Sequence, residues 1–175
     1  MFVTTLAVVT LFSFVPAQSL VIKNALIVDG SGRAGVRGDI RVKGDRIVKI
    51  GSIKPKNNET VVDAGGKVLA PGFIDIHNHS EDGLVEEGTA TNQVSQGITT
   101  VFVGPDGGSP FPISDYFKKL EGKVAPNVGA FIGHASLREQ VMNNSYKRQT
   151  TPEELAKMVE LMEDSMKDGA FGLSS

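Results

Sequence analysis

The sequence predicts an α/β protein in which a small β-sandwich precedes a parallel sheet with crossover helices. Three observations predict it. Short apolar runs divided by turn residues fill positions 20–69, and after Pro71 the order changes to strand, helix, strand, helix. Glycine is abundant, 20 of 175 residues, and much of it falls at the ends of short apolar runs, where chains turn sharply.

The elements follow in order. Leu20 to Val28 reads as a strand that ends at Asp29-Gly30-Ser31-Gly32. Asp39 to Val42 and Arg46 to Ile50 flank Lys43-Gly44-Asp45, a hairpin connection. Thr60 to Val62 and Val68 to Ala70 lie either side of Gly65-Gly66. In Asp39-Ile40-Arg41-Val42 the period of two predicts that the apolar pair faces a core and the charged pair faces water. Beyond Pro71, strands are expected at Phe73 to His77, Thr99 to Val103, Val128 to Ile132 and Ala170 to Leu173, with helices between them. The last helix has the clearest start: Thr151 as N-cap, Pro152 at the first position and Glu154 completing a capping box, with Gly169 as the stop. Leu155, Met158, Val159, Met162 and Met166 recur at helical spacing and are expected to form its buried stripe.

Met1 to Gln18 contains the apolar run Leu6 to Val15 followed by Val15-Pro16-Ala17, the pattern of an export signal cut after Ala17. The expected organisation is therefore a signal at 1–17, a β-sandwich segment at 18–69 and the parallel α/β part at 70–175. Cleavage would place the protein in the periplasm or outside the cell, and retention of the leader in the cytoplasm. The apolar run is too short for a bilayer span. Net charge is −2, with no block of like charges, which argues against a nucleic-acid partner. Residues 1–56 carry nine basic and three acidic side chains, and the rest nine and seventeen. This asymmetry reads as solvated strand faces followed by acidic helix surfaces. The chain has no cysteine, so disulfides and thiolate metal ligands are excluded.

Chemistry concentrates in Pro71-Gly72-Phe73-Ile74-Asp75-Ile76-His77-Asn78-His79. Successive strand side chains alternate sides, so Asp75, His77 and His79 share one face. Two imidazoles at the C-terminal end of a strand and pointing the same way can bind one metal ion, and α/β folds place their sites at that end. Glu81 and Asp82, directly after the histidines, read as solvated loop.

This stretch, preceded by Asp63-Ala64-Gly65-Gly66-Lys67-Val68-Leu69-Ala70, resembles the opening of the metal-dependent amidohydrolases. Within that superfamily three segments resemble the N-acyl-D-amino-acid deacylases, or D-aminoacylases: Gln96 to Gly104, Gly133 to Arg138 with Val141-Met142 behind it, and Gly169 to Ser175. The resemblance implies a β-sandwich followed by a TIM-type (β/α)8 barrel. It also implies His77 and His79 as metal ligands and zinc as the metal, one or two ions acting on the amide carbonyl and on bound water. Asp106, in Gly104-Pro105-Asp106-Gly107-Gly108, stands where many of these deacylases carry a zinc-binding cysteine, and a carboxylate is a harder ligand than a thiolate. Pro-Asp-Gly is equally a favourable turn without a ligand role.

Asp75 is expected either to orient a ligating imidazole or to bond backbone at the floor of the barrel. His134 is expected to contact substrate or a developing negative charge, with a local hydrogen-bonding role as the alternative. Ser174 is expected to help shape the substrate pocket, with a simple turn as the alternative. A complete barrel needs eight strands and typically about 250 residues. Residues 70–175 supply four strands, so the resemblance implies the N-terminal portion of a longer enzyme, with its general base beyond residue 175 and a small N-acyl amino acid as substrate. Two other readings stand beside it: a cyclic amidohydrolase of the dihydroorotase or hydantoinase kind, and a catalytically inactive fragment or binding module.

Overall fold

The computed structural model describes residues 19–145 and 147–175. The expected signal at 1–17 lies outside them. The chain divides into two compact units, with the boundary after Pro71. No helix among the described residues is long and apolar enough to cross a membrane.

The first unit is a single mixed sheet of five strands: β1 (Ser19–Ile27), β2 (Val36–Lys43), β3 (Arg46–Gly51), β4 (Thr60–Asp63) and β5 (Val68–Leu69). The order is β3-β2-β1-β4, with β5 also paired to β1. β2 runs antiparallel to both β1 and β3, whereas β4 and β5 run parallel to β1. The hairpin at Gly44-Asp45 forms as expected. Within this first unit the described residues make one sheet, and Ile47, Val48, Ile50, Val61 and Val62 are exposed on it.

The alternation expected in β2 is also corrected. Asp39 is only 6% exposed, beside Ile40. Its carboxylate takes a 2.6 Å ion pair from Lys23 and the backbone N–H groups of Asn24 and Ile53. Arg41 is paired with Glu59 at 2.8 Å, their side chains 16% and 3% exposed. The cause is the connection between β3 and β4, which crosses this face, buries Ile53 and supplies partners to both charges; Arg41 also donates to the Lys54 carbonyl. Buried charge is tolerated where such partners exist. The Lys23 ammonium and the two N–H donors hold the Asp39 carboxyl at about 2. The Lys56 N–H, Arg41 and Ser19 do the same for Glu59, also about 2.

The second unit begins with β6 (Phe73–Asn78), α1 (Glu81–Glu86), α2 (Thr91–Val94) and β7 (Ile98–Val103). It continues with α3 (Ile113–Leu120), β8 (Asn127–Ala130), β9 (Ile132–Gly133) and α4 (His134–Met142). After a 3-10 turn at Asn143–Ser145 come α5 (Pro152–Lys167) and β10 (Leu173–Ser174). β6, β7 and β8 pair in parallel in that order, and β9 pairs in parallel with β10. The strand expected at 128–132 is thus divided at Phe131, whose N–H still bonds Val103 while Ile132 turns to Gly172. The strands form an open row, and no closed barrel is seen among the described residues.

One face of this row carries Val101, Val103, Ala130 and Ile132, which are packed under Ile113, Tyr116 and Leu120 of α3, Leu137 and Met142 of α4, and Met158 of α5. On the other face Phe102 packs edge-on against Phe171, with ring centres 4.7 Å apart, and against Phe131. The α5 capping box forms as expected: Glu154 N–H donates to the Thr151 hydroxyl at 3.2 Å, and Thr151 N–H to the Glu154 carboxylate at 2.9 Å. The buried stripe of α5 is corrected. Met158 and Ser165 are buried and Leu161 and Met162 pack against the core, whereas Leu155, Val159 and Met166 are 54%, 50% and 43% exposed. Ser165 takes the inward place because its hydroxyl bonds the Leu161 carbonyl one turn back, at 2.7 Å.

Candidate metal centre

The site forms where two parallel strands end side by side. In the pairing of β6 with β7, Asn78 stands opposite Val103, so His77 and His79 meet the first residues beyond β7, among them Asp106. Asp106 Oδ2 lies 3.3 Å from His77 Nε2 and 3.0 Å from His79 Nε2. The two imidazole rings meet edge to face with centres 5.3 Å apart. One ligand atom from each residue fits within 4.8 Å of the others, and all three side chains are open to solvent.

This donor set fits a divalent ion. Zinc ligands at about 2.0–2.2 Å in a tetrahedron stand about 3.4 Å apart, close to the two separations observed. Two imidazoles and a carboxylate are also a donor set that catalytic zinc sites use, with a fourth position left for water or substrate.

The loop carrying Asp106 is held at both ends. Gly104 N–H donates to the Glu81 carboxylate at 2.9 Å, and the Gly104 carbonyl accepts from the Ser174 hydroxyl at 2.6 Å. Gly107 N–H donates to Ser174 Oγ at 3.1 Å, while its carbonyl accepts from Ala135 N–H at 2.8 Å and Ser136 N–H at 3.2 Å. Ser109 and Ser136 bond each other twice, and Gly133 N–H donates to the Ser109 hydroxyl. Glycine is required at two places. Gly104 has φ +72, and an added Cβ would lie 2.8 Å from the Phe131 carbonyl oxygen; a Cβ on Gly133 would lie 2.1 Å from that of Gly107.

Each expected site residue has a definite place. His77, His79 and Asp106 converge. Asp75 lies on the same strand, but its carboxylate is taken by the Asn78 amide at 2.8 Å and the His77 backbone N–H at 3.1 Å, which hold it below the usual carboxylate range; it bonds backbone and amide and no imidazole. His134 is the exposed first residue of α4, beside the N–H groups that bond Gly107. The Ser174 hydroxyl is engaged by the Asp106 loop. Glu81 is not free in solvent as its sequence context suggests, because it opens α1 and accepts from Gly104. Asn78 was not singled out by sequence, yet it ties Asp75 to Ser80 and Gln93 beneath the histidines. Its only sequence signal is its place between the two histidines.

A parallel α/β sheet with two histidines ending one strand and a carboxylate just past the next is an arrangement that could hold a metal ion. No family model matches the chain. It is 35% identical over 180 residues to a D-aminoacylase of Alcaligenes xylosoxydans xylosoxydans, covering 89% of this chain and 37% of that protein. A crystal structure of N-acyl-D-glutamate deacylase from Bordetella bronchiseptica, complexed with zinc and a phosphonate inhibitor, superposes with a TM-score of 0.83 at 32% identity, over 91% of this chain and 38% of that one. A D-aminoacylase described as having a binuclear metal centre superposes at 0.81 and 30% identity, with the same coverage. The chain is therefore similar over about nine-tenths of its length to the N-acyl-D-amino-acid deacylases, and it spans a little over a third of theirs. An L-hydantoinase from Arthrobacter aurescens shares the fold at a TM-score of 0.60 and 23% identity, and does not favour the cyclic-amide alternative.

Proposed function

We propose that this chain is the metal-binding part of a hydrolase of linear amide bonds that removes the acyl group from N-acyl-D-amino acids. The observation that carries the reading is the convergence of His77, His79 and Asp106, from two different strands, in a chain homologous to deacylases of this kind. His77 and His79 would hold a zinc ion through Nε2, and Asp106 through its carboxylate. When bound, such an ion polarises the amide carbonyl and lowers the pKa of its water.

The chain's own residues then have separable tasks. Asn78 fixes the turn after β6 by bonding Asp75 on one side and Ser80 on the other, so the two imidazoles leave the strand in a set direction. The strapped loop presents Asp106 to them. His134, at the head of α4, lies within two residues of the N–H groups that clamp Gly107, and the proposal assigns it a contact with substrate on that ground. The proposal further takes the open row of strands as the first half of a (β/α)8 barrel and residues 1–17 as an export signal.

The test is acetate release by the intact protein from N-acetyl-D-amino acids, with the L-enantiomers, dihydroorotate and hydantoins as comparison substrates. Release from D-substrates that is lost in His77→Ala and His79→Ala supports the reading. Turnover of the cyclic substrates alone, or no turnover with zinc present, overturns it.

A further inference from the structure

Ser174 is separated from Gly104 by 70 residues and from Gly107 by 67, yet its hydroxyl bonds both. It donates to the Gly104 carbonyl at 2.6 Å and accepts from Gly107 N–H at 3.1 Å, so one oxygen spans the two ends of the four-residue segment that carries Asp106. Both partners are backbone atoms, and no side chain of the loop is needed to hold it in place. Asp106 itself has an exposed side chain, and among the described residues its side chain bonds only the two imidazoles. Four residues therefore set the loop's position: Glu81 at its start, Ala135 and Ser136 at its end, and Ser174 across it. Of these, Ser174 alone bonds both ends, and it does so from β10, the strand farthest along the row from β6.

We infer that Ser174 is a positioning residue for the metal centre: its hydroxyl fixes the span of the Gly104–Gly107 loop and thereby holds the Asp106 carboxylate at ligand distance from His77 and His79. The inference rests on the proposed metal role of these three residues. Groups bonded directly to a metal ligand typically contribute about 10- to 100-fold to metal affinity; Ser174 bonds the backbone either side of the ligand, one step further back, so the low end of that range, about tenfold, is the expected effect. Ser174→Ala keeps the strand and removes only the bridging oxygen. Ser174→Thr keeps the oxygen and adds a methyl group at a half-buried position.

Two measurements on the full chain decide it. The first is backbone hydrogen exchange without metal. In Ser174→Ala the Gly107 amide is expected to exchange about 5- to 13-fold faster, as loss of one hydrogen bond of about 1–1.5 kcal/mol allows, while β7 amides are unchanged. The second is zinc affinity by competition with a chromophoric chelator, for the wild type, Ser174→Ala, Ser174→Thr and Asp106→Ala. Ser174→Ala is expected to bind zinc about tenfold more weakly, the low end of the range for outer partners, with Thr restoring most of the loss. Unchanged exchange at Gly107 overturns the bridging role whatever zinc does. Faster exchange with undiminished zinc affinity overturns the positioning role. Equal zinc binding by wild type and Asp106→Ala shows instead that the metal reading of Asp106 has failed, and the inference falls with it.

Discussion

His79 and Asp106 lie 27 residues apart in sequence, yet His79 Nε2 stands 3.0 Å from Asp106 Oδ2 because β6 and β7 are parallel neighbours that end together. The separation matches two ligands on one ion. Asp106→Ala is expected to lower zinc affinity by more than about 100-fold, beyond the range of losing an outer hydrogen-bonding partner. Asp106→Cys supplies a softer donor and is expected to shift preference toward zinc and cadmium over manganese. Competition titrations with the three metals check both expectations.

Gly133 and Gly108 make a controlled pair. A methyl on Gly133 meets backbone at 2.1 Å, and one on Gly108 meets nothing within 4 Å. Gly133→Ala is expected to destabilise the chain by about 1–3 kcal/mol and to weaken zinc binding, because the atom displaced is the Gly107 carbonyl. Gly108→Ala should leave both unchanged. Urea melts and the zinc titration separate the two outcomes.

Ile132 is wholly buried and Val159 is half exposed. Ile132→Ala is expected to cost about 2–5 kcal/mol, whereas Val159→Ala should stay within about 0.5 kcal/mol. Equal losses in urea denaturation would mean that the inward face of α5 is the one its methionine spacing suggests.

Asp39 and Glu59 have folded-state values of about 2, below their ordinary 3.8 and 4.5. A depressed carboxyl adds stability above its unfolded value and loses it as pH falls through its folded value. The first sheet should therefore hold its full stability above about pH 4.5 and weaken progressively toward pH 2, an expectation that follows from the same linkage. Asp39→Asn should flatten that dependence. Urea midpoints at pH 6, 4 and 2.5 are the measurement.

What was legible in sequence was local. The period of two put His77 and His79 on one strand face, and the Thr151 to Glu154 spacing marked the start of α5, because both relations act within a few residues. The Asp106 contact depends on how two strands align, and its place was indicated by resemblance to known deacylases. The Ser174 bonds depend on residues nearly seventy positions away. Asp39 and Arg41 misled for a related reason: their pattern is that of a solvent face, and the chain that covers it comes from residues 52–59. Ser165 replaced Met166 on the inner face of α5 because a hydroxyl can satisfy itself within its own helix.

The crossing from β6 to β7 has a consequence for how the fold is secured. An ion shared by His79 and Asp106 would clasp the outgoing ends of two adjacent strands and close the chain between them, as a covalent cross-link does by restricting the unfolded ensemble. At a free concentration one hundred times its dissociation constant it would add about 2.7 kcal/mol. Chelation would then loosen the sheet from its C-terminal rim first, and metal supply would govern the lifetime of the folded chain as well as its chemistry.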